Sequence, residues 1–390
     1  MKSDVFFLNA RCKSDLESLS AIKTKAVLGE IGLDGYLQSG MKVCIKTHFG
    51  ALNNTRYLRP SYARAIVDHV KTFGVTDIIV AESCGAGLPN GSDEWAGRAS
   101  EPEYLECAKR HGFTPDTMGC PVTMLDGPLG LEWFSQEIEG KYFKEVLVAG
   151  KLKDIDALIM QSHFKGHEAA GFGGAIKNLG IGCVSKGGKS EAHHGKRMEI
   201  KQEACPEDCE ACITICPSGA LMKSEDGYIV RDQSACRKCR FCQGVCKDHM
   251  FVYDTNISQE QFITQMVDNA FGVVSALGQK KIFYINYAID IVPQCDCSGA
   301  SDVPFVPDIG VLASKDPVAL DQACVDLVNQ SAVVPYSKAW DMDLGEETEK
   351  FSYIYGKKDD PPNKAWEVQL QAAEEIGLGS RTYELVNMDE

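Results

Sequence analysis

Eight cysteines fall in two tight runs, Cys205-x3-Cys209-x2-Cys212-x3-Cys216-Pro217 and Cys236-x2-Cys239-x2-Cys242-x3-Cys246. Thiolates this close wrap a metal centre. Two four-cysteine zinc sites and free thiols are the alternatives, but zinc sites usually separate their cysteine pairs by a longer loop. The spacing points to two [4Fe–4S] clusters. About twenty residues upstream lies SHFKGHEAAGFGGAIKNLGIGC (162–183), and residues 166–188 hold eight of the 36 glycines. His163 and His167 stand four apart, ready to hold a ligand or move a proton. Gly171, Gly173 and Gly174 let a ligand approach the backbone. Lys177, buried behind them, would have a depressed pKa and serve as nucleophile, base or covalent anchor; the plainer reading is a lysine that neutralises an anion. Cys295-x-Cys297 is either a metal or redox pair or two buried thiols. Arg56 and Arg59, with Asn53 and Asn54 ahead of a helix start, suit a carboxylate or phosphate. His193 and His194, in SEAHHGKR, read as a solvated loop pair.

These groups need a scaffold. The runs 41–47, 77–81, 146–150, 156–161, 281–286 and 308–314 are short, apolar and rich in β-branched residues, as strands covered on both faces are. Helical periodicity alternates with them. Residues 60–73 open on Pro60 and stop at Gly74. Residues 100–112 show a capping box of Ser100 and Glu103, and 258–278 repeat it with Ser258 and Gln261. Residues 316–329 open on Asp-Pro, and a last helix near 363–376 precedes a short strand, TYELV. The alternation predicts an α/β fold, a mostly parallel sheet with flanking helices. Residues 200–256 break the pattern and read as an inserted two-cluster module between residues 1–199 and 257–390 of the α/β domain. Polar and metal-capable residues follow nearly every strand: His48, Glu82, the 162–183 stretch, Cys295 and Cys297. Parallel sheets bind ligands there, outside the carboxyl ends of their strands.

The 390 residues are 44% hydrophobic and 24% charged, enough for one large core or two modest ones. A net charge of −15 without a basic tract excludes nucleic acid as a partner. No apolar run reaches the roughly 18 residues of a membrane span, and the first residues lack the pattern of a signal peptide. A cytoplasmic protein is expected, and there its 17 cysteines point to metal or cluster binding rather than disulfides. So many thiols fit an anaerobe.

The two cysteine runs resemble the bacterial two-cluster ferredoxins, in which the fourth cysteine of each run crosses to the other cluster. That resemblance implies Cys205, Cys209, Cys212 and Cys246 on one cluster, and Cys236, Cys239, Cys242 and Cys216 on the other. The first run departs from the family in its x3 spacing, and Cys246 is followed by Lys247 rather than proline. Nearly the whole chain is similar to the iron–sulfur family called domain of unknown function 362, through THFGALNNTRYLRP, HFKGHEAAGFGGAIKNLGIGC, CDC and DIGVLASKDPVALDQA. A weaker similarity runs to lactate-racemase-like proteins, through His167, Gly171-Phe172-Gly173-Gly174, Lys177 and His193. It implies His167 as an acid/base group, Lys177 as a tether for a metal-bearing cofactor, His193 as a metal ligand and Arg59 as a carboxylate grip. Glu82-Ser83-Cys84 stand where those proteins have a histidine.

Together these readings describe a redox enzyme. Two clusters pass electrons singly to a strand-end site where Lys177, His167, His163 and His193 hold a small anionic substrate, a further metal or an organic cofactor, and a redox partner protein supplies the electrons. The alternatives are a non-catalytic electron carrier or assembly protein, and a racemase-like enzyme with a lysine-tethered metal cofactor.

Overall fold

The structure, a computed structural model, describes residues 2–89, 97–195, 198–206, 208–246, 251–253 and 257–389. Eight strands make one sheet: β1 (Ser3–Asn9), β2 (Lys42–Lys46), β3 (Asp77–Glu82), β4 (Val122–Met124), β5 (Ala157–His163), β6 (Ile282–Ala288), β7 (Gly310–Ser314) and β8 (Tyr383–Asn387), in the order β8-β1-β7-β6-β5-β2-β3-β4. From β4 to β6 every pair is parallel. The sheet is therefore mostly parallel with helices on its faces, as expected for an α/β fold. The near-continuous apolar strands follow from burial on both sides. In β6, Ile282 and Tyr284 enter one core while Phe283, Ile285 and Tyr287 enter the other. β5 alternates likewise, Leu158 and Met160 against Ala157 and Ile159.

Helix α1 (Pro60–Lys71) packs Ile66, Val67 and Val70 on one face of the sheet. On the other lie α2 (Ala175–Gly180), α3 (Lys186–His194), α4 (Gln259–Leu277), α5 (Pro317–Gln330) and α6 (Ala365–Glu375). The caps of α4 and α5 form as read: Ser258 accepts from the Gln261 N–H, and Asp316 accepts from Val318 and Ala319.

Three expectations change, and one strand of the sheet runs against its neighbours. The run at 146–150 is a strand, Glu145–Ala149, but it pairs antiparallel with Trp133–Glu137 outside the main sheet. β7 runs antiparallel to β6, because residues 289–309 contain no helix to return the polypeptide across the sheet. That irregular return holds Cys295 and Cys297 at the carboxyl end of β6. Ser100 forms no capping box: its side chain makes no cap bond, and Glu103 accepts from Ala99 N–H instead. His193 and His194 are the last two residues of α3, not a loop.

In the cysteine-rich stretch two strand pairs are short and antiparallel, Met198–Ile200 with Phe251–Tyr253 and Leu221–Lys223 with Ile229–Arg231. Two one-turn helices, Ala211–Ile215 and Phe241–Val245, carry Cys212 and Cys242. Cys212, Leu221, Ile229 and Phe251 form a small core there. Residues 247–250 and 254–256, at the expected end of this stretch, lie outside the described residues. Among the described residues no helix is long and apolar enough to cross a membrane.

Candidate functional site

Helix α2 begins where Asp321 of α5 requires it to. The Asp321 carboxylate accepts from the backbone N–H groups of Ala175 (2.8 Å) and Ile176 (2.9 Å) and from Asn286 Nδ2 (2.7 Å). It thereby satisfies two of the helix's orphan donors. A side chain at Gly174 would press its Cβ to 2.4 Å from that carboxylate. Burial pushes the Asp321 pKa up to about 6, against the hydrogen bonds that pull it down. A carboxyl with a raised folded pKa stabilises the fold below its unfolded value, near 4, and loses that contribution as pH climbs to about 6. The difference between the folded and unfolded values corresponds to about 3 kcal/mol. Urea unfolding of wild type and Asp321→Asn should show wild type losing roughly that amount relative to the variant between pH 4 and 7.

Anchored this way, α2 directs Lys177 at the return loop after β6. Lys177 Nζ donates to Cys295 Sγ at 3.4 Å. The expected depressed lysine pKa is corrected: burial does work against the ammonium, but the neighbouring Cys295 and Cys297 outweigh it, and the pKa is raised. Cys295 is the counterpart. A hydrogen bond from Cys297 pulls its thiol well below the ordinary range, against burial and with the help of the Lys177 charge. Cys297, donating that bond, is pushed up. The two directions favour one proton on the pair, with the negative charge at Cys295 beside Lys177. One ligand atom each of His167, Cys295 and Cys297 lie within 4.8 Å of one another.

The histidines differ in state. His167 Nδ1 accepts from Ala170 N–H at 3.0 Å, so the neutral ring carries its proton on Nε2. Burial and the Lys177 charge lower its pKa to about 3. His163 is fully engaged: Nε2 donates to the Ile289 carbonyl and Nδ1 meets Asp296 Oδ1, both at 2.8 Å. Lys165 reaches the same aspartate at 3.2 Å. His163 thus holds the Cys295–Cys297 loop in place through Asp296. His193 stacks on Phe262, 4.6 Å between ring centres. It is wrapped by protein yet open to solvent through the cavity, and burial lowers its pKa to about 3.

A cavity of about 410 Å³ joins these groups at the carboxyl ends of β2, β3 and β5. Lys177, His167, His163, His193 and Cys297 line it on the α2 side. His48 and Glu82, from the ends of β2 and β3, line another side. His48 Nδ1 accepts from Gly50 N–H, and burial lowers its pKa to about 4. Glu82 pairs with Lys46 at 2.6 Å, while its buried Oε2 has no hydrogen-bond partner. Among the described residues, six basic side chains, Arg98, Lys165, Lys177, Lys186, Lys189 and Arg240, share this lining with one carboxylate, Glu82. Asp296 and Asp126 stand behind Lys165 and Lys189.

Other sequence candidates lie elsewhere. Arg56 and Arg59 do not line the cavity; both pair with Asp290, at 3.0 and 2.9 Å, which answers their charge. Gly171, at φ +82°, approaches the backbone of Trp366 rather than a ligand, whereas Gly173 and Gly174 do line the cavity. Cys295 and Cys297, read from the sequence as a metal or redox pair or two buried thiols, stand beside His167, whereas His193 is not in that group. Arg98 stands in no motif, and Arg240 is a spacer residue of the second cysteine run, which marks only the cysteines around it. Lys186 and Lys189 belong to KGGKS (186–190), and the structure puts them on the cavity wall.

The cysteine-rich stretch abuts this cavity. Cys216, Cys236, Cys239 and Cys242 line a second cavity of about 240 Å³, and Cys239 and Arg240 line the 410 Å³ cavity as well. Cys212 lies within electrostatic reach of Cys205, Cys209 and Cys246. Ala220 N–H donates to Cys216 Sγ at 3.3 Å; burial opposes the thiolate there, but backbone donors around it win and lower the pKa. Helix α3 ties the two regions together: Lys238 Nζ meets Glu191 at 2.8 Å, and the Lys186 ammonium sits 4.9 Å from the centre of the Phe241 ring.

The sequence profile of the family described as domain of unknown function (DUF362) matches residues 43–326. The B subunit of the anaerobic dimethyl sulfoxide reductase of Escherichia coli (strain K12) is 50% identical over 40 residues, 10% of this chain and 20% of that one. The nitrate reductase beta subunit of Bacillus subtilis (strain 168) is 41% identical over 63 residues, 14% of this chain and 13% of that one. The chain thus spans about a fifth of the length of the E. coli reductase subunit it matches. Among solved structures, the lactate racemase apoprotein from Thermoanaerobacterium thermosaccharolyticum aligns over 99% of this chain and 83% of that one, at 11% identity and a TM-score of 0.38.

Proposed function

The protein belongs to the family described as domain of unknown function (DUF362), and on that footing we propose that it is an iron–sulfur redox enzyme. The eight cysteines of residues 200–256 would hold two [4Fe–4S] clusters, in the crossed sets implied by the ferredoxin resemblance. That stretch would be a module set between residues 1–199 and 257–390 of one α/β domain. When bound, the clusters supply one-electron transfer. The protein's own residues then do the rest. Lys177 holds a proton beside Cys295, His167 presents an Nε2–H, and the basic lining favours a small anion over a cation. A redox partner protein would deliver the electrons on the module side.

One observation carries this reading: Cys239 lines both the four-cysteine cavity and the strand-end cavity. A cluster held there would border the substrate space directly. The thiols also suit such a group. The donor to Cys216 Sγ favours a thiolate, the form that binds iron. A plain electron carrier needs no enclosed cavity with so many convergent titratable groups. A cofactor tethered on Lys177 would require that amine to surrender the proton which Cys295 helps it keep.

Protein purified without oxygen should contain about eight iron and about eight acid-labile sulfide per chain, as two cubes require. Zinc without sulfide would overturn the proposal.

A further inference from the structure

Cys295 and Cys297 are set up for more than holding a loop. Cys295 is almost wholly buried, 4% exposed, whereas Cys297 is partly exposed and opens on the cavity. Their sulfurs lie within 4.8 Å of each other. Lys177 stands against the deep sulfur, and Arg98 Nη2 fixes the Cys297 carbonyl at 2.8 Å. Asp296 between them is clamped by His163 and Lys165, so the two side chains are held on a rigid turn. A metal on His167 would want the other ring nitrogen to donate a hydrogen bond. Here that nitrogen accepts one from Ala170, which fits a protonated Nε2 rather than a metal-bound one.

We propose that Cys295 and Cys297 form a redox-active dithiol that closes to an intramolecular disulfide, reducing a small anionic disulfide admitted to the basic cavity. This deepens the redox reading above, and rests on it for the electrons that reopen the pair. Cys297 passes its proton to Cys295 and attacks one substrate sulfur, breaking the substrate S–S bond and releasing one thiolate. Cys295 then gives up that proton to the second leaving sulfur and attacks Cys297 Sγ. The protein's thiolate and thiol become a disulfide, and the substrate becomes one thiolate and one thiol. Lys177 stays an ammonium throughout. Two electrons and one proton restore the pair, the electrons arriving singly from a donor of the iron–sulfur class.

The test uses the full chain, handled anaerobically, in dithiothreitol redox buffers, with acid quench, alkylation and peptide mass analysis. The peptide holding Cys295 and Cys297 should lose and regain two hydrogens in one reversible two-electron transition. Cys297→Ser should abolish it. Lys177→Met, which removes the charge favouring the reduced form, should shift the equilibrium about a hundredfold toward the disulfide, about 60 mV lower in potential. The carboxylate-bearing 3,3′-dithiodipropionate should oxidise the pair at least roughly tenfold faster than the neutral hydroxyethyl disulfide. Thiols that stay reduced at every poise, or that become alkylatable only when a chelator strips about one bound zinc, overturn the proposal. Equal rates with the two disulfides overturn its substrate class. Iron and sulfide are measured on the same samples. A dithiol that cycles in protein without sulfide removes the cluster reading and leaves the dithiol, and clusters beside an inert pair do the reverse.

Discussion

Lys177→Met should abolish turnover and leave iron and sulfide content unchanged. The lysine lies in α2 and touches Cys295, whereas the module cysteines are on other elements. Methionine keeps the unbranched apolar stem out to Cε, so packing in α2 is preserved while the ammonium goes. Breaking a buried ion pair by removing one partner costs about 3–5 kcal/mol, because the survivor is left uncompensated. Cys295 would avoid that cost by taking up a proton. A charge effect of about 3 kcal/mol is about two orders of magnitude in thiolate population at fixed pH. The sign follows from the directions of the two shifts. Cys295 is lowered and Lys177 raised, so in wild type the thiolate persists as pH falls below the ordinary thiol value near 8.5, and is lost only at the lowered pKa. Alkylation by iodoacetamide, followed against pH, should be flat through neutrality in wild type. In the variant it should fall away below the ordinary thiol range. Identical profiles would show that Lys177 does not hold the thiolate.

Much of this architecture is legible in the sequence because burial writes itself there. A strand covered on both faces must be apolar nearly throughout, so β2, β3, β5 and β6 stand out. The same signal cannot say which sheet a strand joins, so it does not separate Glu145–Ala149 from the strands of the main sheet. It also misses β1, whose SDVFFLN is only partly buried at the sheet's margin. The site is legible where residue type is chemically unusual: the cysteine runs, Cys295 and Cys297, and a lysine among glycines. Charge state is not legible, because it depends on what faces the group. Nothing local to Lys177 announces a thiolate 118 positions away, so the sequence alone gives its pKa the wrong direction. Arg56 and Arg59 fail for the same reason: Asp290 answers them from the far side of the sequence. Glu82 stands out by sequence as a polar residue after a strand and as the replacement of a histidine, and the structure makes it a cavity group with an unpartnered oxygen.

Cys239→Ala should separate the two halves of the proposed reaction. Cys239 belongs to the set lining the 240 Å³ cavity, and the other set of four is untouched by the change. Iron and sulfide should therefore fall by about half, from about eight to about four each. Reduction of an oxidised Cys295–Cys297 pair by a low-potential one-electron donor should fall by at least about tenfold, because the cluster proposed to border the cavity would be lost. Reduction by dithiothreitol, which needs no cluster, should be unchanged. The comparison is clean because Cys239 touches the cavity wall through the module loop, whereas the dithiol is positioned by Asp296, His163 and Arg98. Loosening of α3 is the competing cause, since Lys238–Glu191 and Lys186–Phe241 tie that helix to the same loop. Lys238→Ala tests it: this tie, half-buried at Lys238, can be cut without removing a thiolate, and full iron content with full electron delivery is expected. If Lys238→Ala slows delivery as much as Cys239→Ala does, the contact matters for the shape of α3 and not for an electron path. If Cys239→Ala leaves delivery intact at half the iron, the border between the two cavities is not the route.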